Sequence, residues 1–335
     1  MIIISSTGCG KQKKTRYSAE FLELFNTATK IIGYTDTKVE FEEQVQIVYD
    51  NLKEYHELYD IYNNYEGINN LKTINDNAGI KPVKVDKKII DLLLFSKETY
   101  ELTNGKVNIA FGAVLEVWHE YRTKGIEEPQ MAKIPPRELL EKLSAHTDIN
   151  KMIINEEEST VFLEDSEMSL DVGGIAKGYA TERVSEIAEQ NGFTSALISV
   201  GGNVRSIGTR YEKEKYWNVG VQNPDMDSEE ENLAILNLSN MSLVTSGVYQ
   251  RYYTVEGKQY HHIIDSDTLM PSDYFTAVSI LCKDSGMADT LSTAIFNMSY
   301  DDGLKLIESI ENTEAIWILK DGSLKYTSNF QEFIK

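Results

Sequence analysis

Residues 170–180 of this 335-residue chain read LDVGGIAKGYA. A strand is predicted to end at Asp171, the two glycines that follow make a tight turn, and a helix begins with Lys177 in its first turn. Backbone N–H groups at a helix N-terminus, together with a lysine, favour an anionic ligand. The spacing fits neither GxxxxGK[ST] nor GxGxxG, the common phosphate-binding patterns. An ordinary glycine-rich connection with an exposed lysine explains the same residues, because glycines are common between strands and helices.

Helical patterns lie on both sides of this stretch. Between residues 36 and 61, apolar residues such as Val45, Val48 and Leu52 recur at steps of three and four, which is typical of an amphipathic helix. Start and stop signals predict further helices at 87–103, 137–145, 175–191, 287–298 and 301–310. Residues 62–79 are rich in Asn and Gly and are predicted to form a long loop, and such loops are often functional.

Extended segments dominate after residue 192. Strands are predicted at 195–200, 216–222, 233–238, 252–264 and 277–282, followed by a hairpin at 315–319 and 324–327. A first strand is predicted within 21–35 and an earlier hairpin within 151–171. Helices and strands are therefore mixed without regular βαβ alternation, which favours an α+β fold over a doubly wound α/β fold. Since no linker is long enough to force a domain cut, residues 21–335 are expected to form one domain.

The charge balance narrows the range of functions. The chain has 33 Lys and Arg residues against 53 Asp and Glu residues, a net charge of −20. Because nucleic-acid binding requires a basic surface that displaces counterions, this balance disfavours a DNA- or RNA-binding protein. A phosphate-bearing substrate would need a metal ion or a well-placed lysine to offset the acidic surface. Ordinary hydrophobic and charged fractions also exclude a disordered protein, a coiled coil and a multi-span membrane protein.

Two further glycine-containing segments carry weaker signals. Residues 200–204 read VGGNV, and glycines directly after a strand also fit a bulge or a tight corner. Residues 245–252 read TSGVYQRY. No G-x-S-x-G elbow surrounds Ser246, so a polar turn with a useful Arg251 is preferred over a nucleophile.

Two histidines are adjacent in residues 260–265, which read YHHIID. In a strand, His261 and His262 point to opposite faces, so they cannot both bind one metal ion. One of them is a candidate general base. The alternative, a structural histidine satisfied within the fold, is the commoner case for a lone strand histidine.

A carboxylate and a hydroxyl lie four residues apart at the start of a predicted helix. Asp289 and Thr293 are therefore on the same helical face. Their hard oxygen atoms suit Mg²⁺ better than a transition metal. For an isolated pair the structural alternative is more common: Asp289 complements the helix dipole, and Thr293 bonds a carbonyl one turn back.

The two cysteines have different contexts. Cys282 lies in an apolar run and is predicted to be a buried core thiol. Cys9 follows a short apolar segment and small residues and precedes a polar run, as in a bacterial lipoprotein signal. That segment is short and lacks preceding positive charge, so an ordinary cytosolic N-terminus is the alternative. We favour residues 1–20 as a truncated lipoprotein signal and polar tether, with a lipid on Cys9 that anchors an extracytoplasmic protein to the bacterial cell membrane without spanning it.

Taken in order, these motifs resemble the FAD:protein FMN transferases, the ApbE flavin transferase family. The most specific match is DVGGIAKG at 171–178, against the family's D-[LV]-G-G-I-A-K-G. Residues 200–204, 245–247, 262–265 and 288–294 follow in the family's order. The resemblance implies an ApbE-like, T-fold-related α+β fold of mixed helices and antiparallel strands. It also implies an enzyme that cuts FAD, transfers FMN to a Thr or Ser hydroxyl of a partner protein and releases AMP.

The family's site residues map onto this sequence by motif. The resemblance implies that Mg²⁺ is held by Asp289, Thr293 and the backbone carbonyl of Gly174. It implies that FAD is contacted by Tyr62, Gly112, Asp171, Lys177 and Ile263. His262 is the candidate base for the proton of the attacking hydroxyl, and Lys177 and Asp289 complete the catalytic set. Mg²⁺ and Lys177 would also supply the local positive charge that the acidic chain otherwise lacks.

Two motifs depart from the family's pattern. SGDYER reads SGVYQR at 246–251, and HIIDPxTG reads HIIDSDTL at 262–269. These changes predict altered loops on the acceptor or adenosine side. Two alternative functions remain open: an FAD pyrophosphatase that yields FMN and AMP, and a non-catalytic flavin-binding lipoprotein. Because no flavin-acceptor motif of the S/T-G-A-S/T kind occurs in the chain, the acceptor is expected to be another, extracytoplasmic polypeptide.

Overall fold

A computed structural model describes residues 14–211, 214–225, 227–249 and 251–335. The α-helices in these residues are α1 (Lys38–Tyr59), α2 (Leu71–Asp76), α3 (Lys87–Leu102), α4 (Gly112–Glu127), α5 (Arg137–Ser144), α6 (Ala176–Gln190), α7 (Ser285–Phe296) and α8 (Tyr300–Glu308). The strands are β1 (Thr15–Phe21), β2 (Thr29–Thr35), β3 (Val83–Lys84), β4 (Met152–Asn155), β5 (Thr160–Leu163), β6 (Ala196–Val200), β7 (Asn203–Ile207), β8 (Trp217–Gln222), β9 (Asn232–Leu238), β10 (Ser242–Gly247), β11 (Tyr252–Val255), β12 (Lys258–His261), β13 (Ile264–Asp265), β14 (Met270–Pro271), β15 (Ala277–Cys282), β16 (Glu314–Ile318) and β17 (Leu324–Tyr326).

An eight-stranded sheet runs through the centre of the described chain. Its strand order is β1-β2-β6-β7-β10-β15-β16-β17. Every neighbouring pair in this sheet is antiparallel. The first and last strands of the described chain form the two edges of the sheet. The predicted α+β fold, with mixed helices and antiparallel strands, is confirmed.

Both faces of the sheet are covered. Helices α1, α6 and α7 pack on one face, and the hairpin β8–β9 packs against the other. Strand β15 shows the alternation that this requires: Val278 and Ile280 join the helix-side core, whereas Leu281 joins the hairpin-side core. Residues of β15 are therefore buried along its whole length. A third apolar cluster joins α4 and α5 to the hairpin β11–β12, through Trp118 and Tyr253 among others.

The N-terminal boundary differs from the prediction. Residues 15–20, expected to belong to a polar tether, form most of strand β1, which pairs along its full length with β2. The single strand predicted within 21–35 is in fact the end of β1, a turn and β2. Phe25 and Asn26 have φ angles of 53° and 51°, so the chain reverses there in the left-handed region. Polar side chains on an edge strand concealed this strand, because only alternate positions are partly buried.

Three other local predictions are corrected. The long loop 62–79 contains a short helix, α2, with Asn70 as a side-chain cap. The polar turn expected at 245–247 is the end of the central strand β10. No strand leads into Asp171: the preceding Ser169 makes one isolated parallel bridge to Phe111. The other predicted helices and strands are present with boundaries shifted by a few residues.

Cys282 is buried as predicted, and burial raises the pKa of its thiol to about 12. Cys9, the predicted lipidation site, lies outside the described residues. Among the described helices, none combines the length and the apolar character needed to cross a membrane.

Candidate active site

A cavity of about 640 Å³ opens beside the start of α6. It has the size of a typical small-molecule site. Eight of the residues predicted from the sequence line it: Tyr62, Asp171, Gly174, Lys177, His262, Ile263, Asp289 and Thr293. The structure therefore brings together segments that are more than 200 residues apart in the chain.

The glycine turn before α6 is held by its own carboxylate. The Gly173 N–H donates to Oδ1 of Asp171 at 2.8 Å, and the Asp171 N–H donates to the Ile109 carbonyl at 2.8 Å. Lys177 lies in the first turn of α6, with its Nζ 3.4 Å from the Gly173 carbonyl oxygen. The N-terminus of α6 has no side-chain cap. The N–H groups of Ala176 and Gly178 already donate to Val172 and Asp289, so it is the Lys177 ammonium that is available to an anion in the cavity.

Contact between α6 and α7 places the acidic group. The Gly178 N–H donates to Oδ2 of Asp289 at 2.8 Å. A Cβ at position 178 would lie 2.3 Å from the Ser285 carbonyl oxygen and 2.4 Å from the Asp289 Cβ. Only glycine permits this approach, because those neighbours are a backbone atom and the root of a side chain. Gly178 of the quoted stretch therefore serves packing, and the packing fixes Asp289.

The predicted metal ligands converge. Thr293 Oγ1 lies 3.4 Å from the Gly174 carbonyl oxygen, one helical turn along α7 from Asp289. Asp289 is only 4% exposed, and burial raises its pKa while the Lys177 charge opposes that rise. The Asn203 side chain is buried beside the same cavity and is close enough to Asp289 to lower the pKa of that carboxyl.

These observations fit a magnesium ion bound with a phosphate ligand. A carboxylate, a hydroxyl and a carbonyl are hard oxygen donors, and a buried carboxylate is stabilised by a bound cation. A transition-metal site would require several His, Cys, Asp or Glu side chains together. Among the described residues, no group of three or more such side chains could hold a metal ion.

The two adjacent histidines have separate surroundings, as predicted. Nδ1 of His261 accepts the Ile263 N–H at 3.2 Å, and its Nε2 donates to the Ser272 carbonyl at 2.7 Å, so His261 is structural. His262 lines the cavity. Its Nδ1 is buried without a partner. Burial, followed by the charges of Arg251 and Arg122, lowers the pKa of His262 to about 3, so the ring is neutral.

Tyr62 lies on a loop that a buried carboxylate organises. Asp60 accepts hydrogen bonds from the backbone N–H groups of Tyr62 and Asn63 and from the side chains of Asn63 and Tyr65. The Tyr62 hydroxyl is 2.9 Å from Nδ1 of His119, and its ring is 57% exposed. Burial of the hydroxyl raises its pKa to about 12. An exposed aromatic ring at a cavity wall suits stacking on a flat ligand.

Gly112, carried over as a flavin contact, is placed differently. It is not among the described residues that line the cavity. It begins α4, its N–H donates to the Ser169 carbonyl at 3.0 Å, and a Cβ there would lie 2.4 Å from that same oxygen. The glycine is needed because α4 packs directly on the backbone before Asp171. The structure therefore gives Gly112 a packing role, and its direct contact with FAD stays a prediction.

The sequence analysis overlooked two cavity residues on α4, His119 and Arg122. No helix was predicted between residues 103 and 137, where α4 runs from Gly112 to Glu127. His119 and Arg122 are three residues apart and so share a helical face, which was the available signal. Asn203 was also overlooked, although it follows the VGG turn that had been singled out.

Known proteins are similar to this chain in sequence. The sequence model of the ApbE family matches residues 14–317. An FAD:protein FMN transferase from Klebsiella pneumoniae (strain 342) is 30% identical over 256 residues, which are 76% of each chain. One from Treponema pallidum (strain Nichols) is 28% identical over 278 residues, covering 79% of this chain and 75% of the relative.

Solved structures are similar over nearly the whole chain. The ApbE protein of Thermotoga maritima superposes with a TM-score of 0.83 at 27% identity, covering 96% of this chain and 100% of that one. The flavin transferase ApbE of Vibrio cholerae has the same fold, with a TM-score of 0.79 at 21% identity, covering 96% and 99%. The matched residues include the glycine turn, the β12–β13 segment and the α7 carboxylate around the cavity. The chain belongs to the ApbE family.

Proposed function

We propose that the chain is an Mg²⁺-dependent FAD:protein FMN transferase. It would transfer FMN from FAD to a Thr or Ser hydroxyl of a partner protein and release AMP. The observation that carries the proposal is that one cavity joins the oxygen donors Asp289, Thr293 and Gly174 to Lys177 and the neutral His262. The names of the Klebsiella and Treponema relatives support it.

The chemistry needs charge neutralisation and alignment more than covalent help from the protein. The acceptor oxygen bonds to the FMN phosphorus, and the bond from that phosphorus to the oxygen of AMP breaks. Mg²⁺ held by Asp289, Thr293 and the Gly174 carbonyl would neutralise charge on the pyrophosphate. Lys177, in the first turn of α6, would hold phosphate oxygens. His262 accepts the proton of the hydroxyl, and its basicity increases when an anionic substrate offsets the neighbouring cations.

Replacing His262 with asparagine should slow transfer by about 10²–10⁴-fold, because the attacking hydroxyl loses its base. FAD affinity should change little, and so should the melting temperature. The measurement is the rate of acceptor labelling beside the dissociation constant for FAD. His261→Asn is the matched control: it removes two internal hydrogen bonds and should lower stability, with a smaller effect on the rate of the folded fraction. Unchanged labelling by the His262 variant would exclude it as the base.

The function itself is tested by incubating the protein with FAD and Mg²⁺, with and without a Thr-bearing acceptor domain. A rise in acceptor mass by one FMN, stoichiometric with AMP release, is the expected result. AMP and free FMN without labelling of any acceptor would favour the FAD pyrophosphatase. FAD that binds but survives intact with Mg²⁺ and a competent acceptor would leave the flavin-binding lipoprotein.

We further propose that the enzyme is extracytoplasmic and anchored to the bacterial membrane by a lipid on Cys9, where it would meet an extracytoplasmic acceptor. The small residues before Cys9 and the polar residues after it support this location. Metabolic labelling of the precursor with a fatty acid should mark the wild type and Cys282→Ala, whereas Cys9→Ala should lose both the label and membrane retention. A labelled Cys9→Ala protein would contradict the assignment.

A further inference from the structure

Two arginines on different elements face the cavity together. Arg122 lies half-buried on α4, and Arg251 is exposed directly before β11. Within the described part of the chain, neither guanidinium makes a hydrogen bond or an ion pair. Burial lowers the pKa of Arg122, and the charge of Arg251 lowers it further, so the two groups repel each other. We call Arg122 and Arg251 the arginine pair.

An uncompensated arginine pair is unexpected in so acidic a chain. Another basic residue that lines the cavity, Lys106, is neutralised by Asp265 at 3.0 Å and Asp267 at 2.8 Å. The charge of Asp171 raises the pKa of Arg122, but the two side chains form no ion pair. Oδ1 of Asp171 instead accepts the Gly173 N–H. Two free guanidiniums present the donor geometry that matches the oxygens of a phosphate group. The arrangement therefore indicates a site for an anionic ligand.

The neighbours of the arginine pair indicate which anion. The charges of both arginines lower the pKa of His262 and the pKa of Tyr62. The arginine pair therefore lies within electrostatic reach of the candidate base and of the exposed aromatic ring. The inference rests on the proposed function, in which the base must lie next to the phosphorus under attack. That phosphorus belongs to the FMN half of FAD. The same phosphate stays attached to the flavin, which the exposed Tyr62 ring is suited to stack against.

We propose that Arg122 and Arg251 bind the phosphate that remains with the flavin. They would then distinguish the FMN half of FAD from the AMP half and hold the transferred phosphoryl group beside His262. Riboflavin, which lacks this phosphate, gains nothing from the arginine pair. AMP binds independently of it.

The test is a binding measurement that needs no acceptor and no turnover. Dissociation constants for FMN, riboflavin and AMP are measured with Mg²⁺ at one ionic strength, for the wild type and for Arg122→Gln, Arg251→Gln and the double variant. Each substitution should weaken FMN binding about tenfold or more, because a charge-assisted hydrogen bond to phosphate is lost. Riboflavin and AMP should bind as before. Arg137→Gln is the control, since Arg137 is exposed on α5, pairs with Glu141 and does not line the cavity.

The outcomes separate this inference from the proposed function. Unchanged FMN affinity in the double variant overturns the inference, as does a loss of AMP affinity in place of FMN affinity. An equal loss for FMN and riboflavin means that the arginines act on the ring or on folding, which also overturns it. Arg251→Gln should not disturb folding, because the Arg251 side chain is exposed, so this variant separates a binding effect from a folding effect. A wild type that binds neither FAD nor FMN overturns the proposed function itself.

Discussion

The variant Asp289→Asn should lose Mg²⁺-dependent FAD cleavage by at least about a hundredfold while the fold is retained. Asparagine keeps an oxygen that can accept the Gly178 N–H, so the contact between α6 and α7 survives. It removes the charge that the metal requires, because magnesium sites in proteins depend on carboxylates. The measurement is AMP release over a range of Mg²⁺ concentrations, with Asp301→Asn, an exposed carboxylate on α8, as the matched control.

The same substitution has a signature in stability. Burial raises the folded-state pKa of Asp289 above its ordinary value of 3.8, so the folded protein binds this proton more tightly than the unfolded chain. Without metal, the wild type should therefore lose stability as the pH rises from 3.8, the pKa in the unfolded chain, to the higher pKa in the folded protein. Asp289→Asn should lack this loss, and added Mg²⁺ should stabilise only the wild type, increasingly as the carboxylate ionises. Full activity in Asp289→Asn, or equal stabilisation of both proteins by Mg²⁺, would contradict the metal site.

Glu182→Gln should cost about 3–5 kcal/mol of unfolding free energy, because it leaves a buried guanidinium without its partner. Glu182 and Arg205 are 3% and 4% exposed, and Nε of Arg205 is 3.0 Å from each carboxylate oxygen. Burial raises the pKa of Glu182, against the opposing effect of Arg205. Oε2 of Glu182 also accepts the Ser285 N–H at 2.7 Å, so this ion pair ties α6, β7 and the start of α7 together.

The control for the ion pair is the double variant Glu182→Leu with Arg205→Met. It removes both charges and fills similar volume, and such replacements are often neutral or stabilising. Urea unfolding of the two variants separates the cost of an orphaned charge from the cost of altered packing. We also expect Glu182→Gln to weaken Mg²⁺ binding, because the start of α7 carries Asp289. A stability loss in the double variant as large as that of Glu182→Gln would contradict this explanation.

Local sequence predicted the parts of the site that local geometry controls. The glycine turn and Lys177 were found from strand-turn-helix chemistry, and Asp289 and Thr293 from helical spacing. Their convergence on one cavity depends on how closely α6 approaches α7, and Gly178 permits that approach. The family resemblance predicted the order of the motifs along the chain. The contact between α6 and α7 is seen only in the structure.

The missed strands have a physical explanation. Strand β10 ends in Thr245, Ser246 and Gly247, which is typical of a turn when read locally. In the fold, Thr245 Oγ1 lies 2.7 Å from Oγ of Ser279, and Ser246 Oγ lies 2.8 Å from Oγ of Ser292. Polar residues are thus tolerated in a central strand because their partners come from residues more than 30 positions away. A local pattern contains no information about such partners.

The surroundings of Gly112 were also not predictable from its motif. A motif carried over from a divergent segment transfers the residue but not its surroundings. A Cβ at position 112 would clash with the backbone of Ser169, so the glycine allows α4 to lie close to that backbone. Arg122, three turns further along the same helix, reaches the cavity.

The register of the central sheet sets the order of events during synthesis. Strand β2 pairs with β6, which joins Thr29 to Val200 across about 170 residues of chain. At ordinary rates of translation, β2 waits about ten to thirty seconds before its partner exists. During that interval β2, with its apolar residues Ile31 and Ile32, has only β1 to pair with. The cavity is lined by residues as far along the chain as Thr293, so it can assemble only late in synthesis.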